Sequence, residues 1–240
     1  MLDRAFEHAV GALVAYVTGC VASAEVVARV AIESSVNVMY ILAGDRLGRL
    51  NAYFRSYLED AHKYVTRWIK LASQMDGPES KAHQDAALYR LKGIEAVDSF
   101  VDRAMSAVGI SKGSSRTVKW PRTIADRFDA LGMTSMYRTV YARMCSQVHN
   151  DAEDTLNFYM AVSSGDQRVM EQMGLETVNF GRLLVYYGVW FYIQAGIRYA
   201  ESFGMTPAAE ILRRGHPIID QQMREISQYV GAFVGTESGI

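Results

Sequence analysis

The sequence predicts an all-α protein, a largely antiparallel helical bundle of about seven or eight helices. Three observations carry this. Apolar residues recur at three- and four-residue intervals along nearly the whole chain, and no alternating run is long enough for a core strand. Hydrophobic residues make up 50% of the 240 and charged residues 21%, enough for a large buried core and too apolar for disorder. The four prolines, Pro78, Pro121, Pro207 and Pro217, each sit where a helical pattern breaks, as expected when proline is excluded from helix interiors. The chain reads as a single helical domain over 1–240. Its core helices cover about 2–108 and 122–203, a flexible basic loop covers 109–121, and short C-terminal helices occupy 206–234.

The elements follow from local signals. Leu2 to about Val17 is amphipathic, and Thr18-Gly19 breaks it. A second helix runs from about Val21 to Ala43 and is closed by Gly44 and Asp45. A third covers Arg46 to Met75 and stops at Asp76-Gly77-Pro78; a fourth covers Glu79 to about Val108. The stretch Gly109 to Pro121 is expected to be a polar, flexible connection. A short helix is expected over Arg122–Leu131, and then one continuous helix from Thr134 or Ser135, either serving as its N-cap, to Val162. Ser163-Ser164-Gly165 ends it. A long aromatic helix is expected over about Leu175–Phe203, a short one from Thr206-Pro207, and a last one from His216-Pro217 that fades after Val234.

Bulk properties exclude several functions. The net charge of −1 argues against coating nucleic acid by bulk electrostatics, though not against a local basic patch. Cys20 and Cys145 lie in apolar helical stretches and make no disulfide framework, which fits a reducing cytoplasm. Asp3, Arg4, Glu7 and His8 interrupt the N-terminus, so no secretory leader is expected. The most apolar runs, Ala9–Ala24 and Leu183–Ile197, fall short of the roughly 20 residues a membrane-spanning helix needs, so no integral membrane association is expected.

Three constellations could carry chemistry. The second helix repeats Arg29, Glu33, Asn37 and Tyr40 in steps of about one turn through otherwise apolar sequence. This stripe is either an exposed i,i+4 ion pair or a buried network completed by polar groups of another helix. In the stretch Tyr137–Leu156, Arg143, Ser146, His149, Asn150 and Glu153 share one flank, and Tyr137, Tyr141, Met144, Cys145, Val148 and Ala152 the other. The arginine fork suits a phosphate and the histidine can take a proton near neutral pH; Ser146 and Asn150 would complete a polar pocket. The alternative is a histidine that hydrogen-bonds a neighbouring helix, with Arg143 at the surface. The basic loop supplies Lys112, Arg116, Lys119, Trp120 and Arg122, which could hold a nucleic-acid backbone and stack a base, or could simply be solvated. No metal site is expected. Glu59-x-x-His62 is a single copy of a motif that a di-iron bundle needs twice, and His149 with Glu153 lacks a third ligand. No phosphate-binding glycine loop is present, and no cofactor is expected.

Arg29, Glu33, Asn37 and Tyr40, together with Tyr137, Tyr141, Cys145-Ser146 and His149 and with Trp120-Pro121 ahead of them, resemble a family of bacterial all-helical domains of unknown function over roughly residues 15 to 160. Arg143-x5-His149 also resembles the signature of HEPN domains, helical bundles that cleave RNA in many toxins and phage-defence effectors; Met144 departs from the polar residue that usually follows the arginine. That resemblance implies a homodimer whose paired motifs activate a ribose 2′-hydroxyl without metal, His149 acting as general acid/base and Arg143 stabilising phosphate charge. It further implies an RNA substrate and, for a toxin–antitoxin pair, a neutralising protein partner. The reading from another class is a non-catalytic bundle that binds a partner protein or small ligand, consistent with twelve methionines that can adapt to a partner. A peripheral membrane role for the apolar helices is a minor third. Arg29, Glu33 and His149 are expected to converge in the interior.

Overall fold

Helical periodicity and well-placed caps produce helices throughout the described residues, with no strand among them. The computed structural model describes residues 1–110, 118–142, 144, 156, 159–160 and 162–227. These form two compact units, one from Met1–Leu42 with the chain from Thr123 onward, the other from Ala43–Arg122.

In the first unit, α1 (Leu2–Val17) and α2 (Val21–Leu42) are separated at Gly19, whose φ of 84° suits glycine. Cys20 lies in that link and is exposed, not within a helix as expected. The short α5 (Ile124–Ala130) starts later than the expected Arg122. Thr123 caps it in a capping box, accepting from the Asp126 N–H while the Asp126 carboxylate takes the Thr123 N–H, each at 3.1 Å. The following helix is not capped by Thr134 or Ser135. Its first turn, α6 (Thr134–Met136), begins after Met133, and the Thr134 hydroxyl instead donates to Asp129 at 2.6 Å. Nor does it continue as plain α-helix: Tyr137–Tyr141 is a π-helical turn, in which the Ala142 N–H donates to the Tyr137 carbonyl five residues back.

The long α7 (Gln167–Ser202) starts well before Leu175. Residues 167–175 bury none of Val169, Met170, Met173 and Leu175 in a core, but the Asp166 side chain accepts from the Arg168 N–H at 2.9 Å, and the Gln167–Glu171 and Gln172–Glu176 pairs support the exposed turns. The last element, α8 (Thr206–Ser227), is one helix, not two; Pro217 lies inside it. The hydrogen bond proline removes is offset by side-chain ties to α7 on both sides of it: Gln194 with His216, Trp190 with Asp220 at 3.0 Å, and Arg182 with Gln222 at 3.1 Å.

The core of this unit gathers Ala24, Ala28, Ile32, Val36 and Met39 of α2, Leu183, Leu184, Tyr187, Phe191 and Ala195 of α7, and Phe128, Val140, Tyr141 and Met144. Small residues let α2 and α7 approach closely. A Cβ at Gly188 would lie 3.3 Å from both Cα and Cβ of Ala28.

The second unit is a helical hairpin of α3 (Arg46–Ala72) and α4 (Pro78–Ala107). Asp45 caps α3 by accepting from the Gly48 N–H at 3.0 Å. Gly77, at φ 90°, makes the turn, and Pro78 takes the first position of α4, where no N–H is needed. Leu58, Val65, Ile94, Val101 and Met105 form the hairpin core, and Arg55 bridges Asp98 and Asp102.

Among the described residues no helix is long and apolar enough to cross a membrane.

Candidate functional site

The polar stripe of α2 meets a polar group from another element. Arg29 Nε donates to Glu33 Oε1 at 3.0 Å, one turn along the same helix. The Tyr141 hydroxyl, from the π-helical turn, donates to the same carboxylate oxygen, and Arg29 Nε also lies 3.3 Å from that hydroxyl. The Arg29 guanidinium stands 5.5 Å from the centre of the Tyr141 ring, within cation–π range. Arg29 is 21% exposed and Glu33 37%, so the pair sits at the edge of the core, where water screens it only in part.

Two further groups complete the cluster. Arg127 of α5 is half-buried; desolvation pulls its pKa down, opposed by the negative charge of Glu33 and by Tyr141, Asp126 and Tyr40. Asn37, one turn beyond Glu33, has a buried Oδ1 with no hydrogen-bond partner among the described residues. Buried acceptors are normally satisfied, so this one is a place where a further donor fits.

Packing explains why Tyr141 can make its bond. Its ring is buried at 2% exposure between Phe128 (5.6 Å) and Tyr137, on which it stacks at 5.7 Å with planes 25° apart. Phe128 in turn meets Phe191 of α7 edge-on at 5.6 Å. The aromatic column holds the ring, and the ring delivers its hydroxyl to Glu33.

The sequence-derived site residues divide sharply. Arg29 and Glu33 come together, and Asn37 and Tyr40 lie beside them on α2. Arg143, Ser146, His149 and Asn150 lie outside the described residues, as do Lys112 and Arg116; the convergence expected of His149 with Arg29 and Glu33 therefore falls on an undescribed residue. In the hairpin unit, Trp120 is half-buried and packs edge-on against Tyr53 at 5.0 Å, while Lys119 and Arg122 are exposed. Met144, the departure from the usual motif, is fully buried in the core.

Sequence reasoning did not bring Tyr141 or Arg127 to Glu33. The helical period puts Tyr141 on the apolar flank of its helix, and its ring does lie there. Periodicity places a side chain on a face and cannot tell that a phenol reaches through that face to a carboxylate. Arg127 falls just beyond the basic loop and gives no signal of its own. Among the described residues, no group of His, Cys, Asp or Glu side chains could hold a metal ion.

Residues 1–168 match the model of a family of unknown function, DUF5677, and the chain belongs to that family. No curated protein and no solved structure matches the chain. The match takes in α1 to α6, the Arg29–Glu33–Tyr141 cluster and the hairpin, and leaves α8 outside.

Proposed function

We propose that this DUF5677 member is a HEPN-like, metal-independent ribonuclease of bacterial origin that acts as a cytoplasmic homodimer in a toxin or phage-defence role. The observation that carries the reading is the half-buried Arg29–Glu33–Tyr141 network, whose tyrosine belongs to the same stretch as Arg143 and His149. A charged pair kept at the edge of an apolar core costs desolvation, Arg127 beside it has its pKa pulled down by burial, and perturbed ionisable groups concentrate at functional sites. π-helical turns, such as the one that carries Tyr141, are likewise enriched there.

In the proposed reaction the ribose 2′-oxygen attacks the adjacent phosphorus as His149 takes its proton. The bond to the 5′-oxygen breaks, and that oxygen leaves with a proton returned from histidine, so the products are a 2′,3′-cyclic phosphate and a 5′-hydroxyl. Arg143 stabilises the charge that builds on the phosphate oxygens. Glu33 and Arg29 act through Tyr141, as positioning residues.

The test is cleavage of labelled single-stranded and structured RNA in EDTA, wild type against His149→Ala. Metal-independent cleavage that leaves a cyclic phosphate and disappears in the variant is the expected result. Absence of cleavage by a folded wild-type protein sinks the proposal. It would favour a second reading, a non-catalytic bundle that binds a partner protein or small ligand, in which the Tyr141–Glu33 bond fixes helix register. The burial of Met144 in the core supports that alternative.

A further inference from the structure

The hairpin of α3 and α4 is amphipathic twice over. One apolar stripe on each helix faces the other and forms the Leu58–Val65–Ile94–Val101 core. A second stripe on each, offset by about 100° around the helix, is left exposed: Tyr57, Tyr64 and Leu71 on α3, and Tyr89, Val97 and Phe100 on α4. Tyr57, Tyr64 and Leu71 are seven apart, and Tyr89, Val97 and Phe100 continue the same three- and four-residue steps through Gly93. Because the helices run antiparallel, stripes offset in the same sense emerge on the same side of the hairpin. Cross-helix contacts agree. Trp68 meets His83 edge-on at 6.3 Å at the margin of this side, and Arg55 with Asp98 and Asp102 occupies the other.

These six side chains are 45% to 82% exposed, the extremes being Val97 and Tyr89. At the area an aromatic or aliphatic side chain offers, they present roughly 700 Å² of apolar surface. That exceeds the roughly 300–600 Å² of the largest patch on a typical monomer. It approaches the roughly 800 Å² each partner contributes to a standard stable interface. Two antiparallel helices with an apolar face are half of a four-helix bundle, and the half that completes such a bundle is another hairpin of the same kind.

Charge selects the partner. Beside this stripe on α3, Asp60 precedes Tyr64 and Arg67 follows it, seven residues apart and so on one side of the helix; Lys63 holds Asp60 at 3.2 Å within the helix. Two copies of α3 laid antiparallel about Tyr64 set Asp60 of each near Arg67 of the other. We infer that this face pairs with the same face of a second copy of the chain, hairpin against hairpin, to form a four-helix interface. The pairing rests on the hairpin face alone; it is not the meeting of Arg143–His149 motifs that the nuclease reading calls for, and it does not depend on RNA cleavage.

Sedimentation equilibrium of the full chain across a wide concentration range tests it. The wild type is expected to be a dimer, and Tyr64→Glu or Tyr89→Glu to raise the dimer dissociation constant roughly 30-fold, the loss expected at an interface anchor. Both side chains are exposed, so helicity by circular dichroism should not change. Asp60→Arg alone should weaken the dimer, and Asp60→Arg combined with Arg67→Asp should restore it. A wild type that is monomeric throughout overturns the inference, as does a dimer indifferent to both glutamate variants. A double charge swap no tighter than the single one overturns the antiparallel pairing. Cleavage is measured separately, so a monomer that still cuts RNA, or a dimer that does not, separates the failure of one proposal from the failure of the other.

Discussion

Replacing Tyr141 by phenylalanine isolates the contribution of one hydroxyl. The ring contacts with Phe128 and Tyr137, and the position of Arg29 over the ring face, all survive the substitution. What disappears is the hydrogen bond to the Glu33 carboxylate and the hydroxyl that Arg29 Nε approaches at 3.3 Å. A hydrogen bond to a charged group contributes about 1.5–3 kcal/mol. Glu33 is 37% exposed and keeps Arg29 at 3.0 Å, so water and the arginine recover part of the loss. The expected cost is therefore at the lower end, about 1.5 kcal/mol. For a chain of this size that lowers the melting temperature by about 3–6 °C. Thermal and urea denaturation followed by circular dichroism, in a cycle with Glu33→Gln, measures it. If the two groups interact as described, the double variant loses less than the sum of the singles, by about 1 kcal/mol. Tyr137→Phe is the control, since the Tyr137 hydroxyl makes no hydrogen bond among the described residues and its loss should move stability by less than about 0.5 kcal/mol. Additivity of Tyr141→Phe and Glu33→Gln to within about 0.3 kcal/mol would falsify the claim that this bond ties the π-helical turn to α2.

Two other outcomes follow from packing and titration. Two glycines of α7 should respond to an added side chain with opposite signs. Gly174 has nothing within 4 Å of a Cβ, so Gly174→Ala should stabilise by up to about 1 kcal/mol through helix propensity, whereas Gly188→Val, facing Ala28 at 3.3 Å, should destabilise by about 1–3 kcal/mol, both read from denaturation midpoints. Burial raises the pKa of Tyr187 above its ordinary value, with no other cause acting. The unfolded chain then releases this proton first, near pH 10, so the stability held below that pH should decline as pH climbs toward the folded-state value; Tyr187→Phe should flatten part of that decline in pH-dependent urea titrations.

The sequence by itself determined the all-helical class and most helix boundaries, because these depend on short-range physics. Apolar spacing, Gly19 and Gly77 as breaks, Asp45 as a cap and Pro78 as a first-turn residue each act within one turn of where they stand. Its errors share a cause. Pro217 reads as a break because the local cost of proline in a helix is large, yet ties from Gln194, Trp190 and Arg182 across to α8 keep that helix continuous. The first turns of α7 read as a connection because they bury nothing, although a cap and two i,i+4 pairs sustain them. The candidate site was half legible. Arg29, Glu33, Asn37 and Tyr40 announce themselves as a polar stripe in an apolar helix, which is a one-dimensional pattern. That Tyr141 closes on Glu33, 108 positions away, that Arg127 lies near the same carboxylate, and that an aromatic column from Phe191 through Phe128 holds the tyrosine in place were decided only when residues far apart in sequence packed together. Which face a residue occupies is set by helical period; what its polar end reaches is set by the neighbour that tertiary packing supplies.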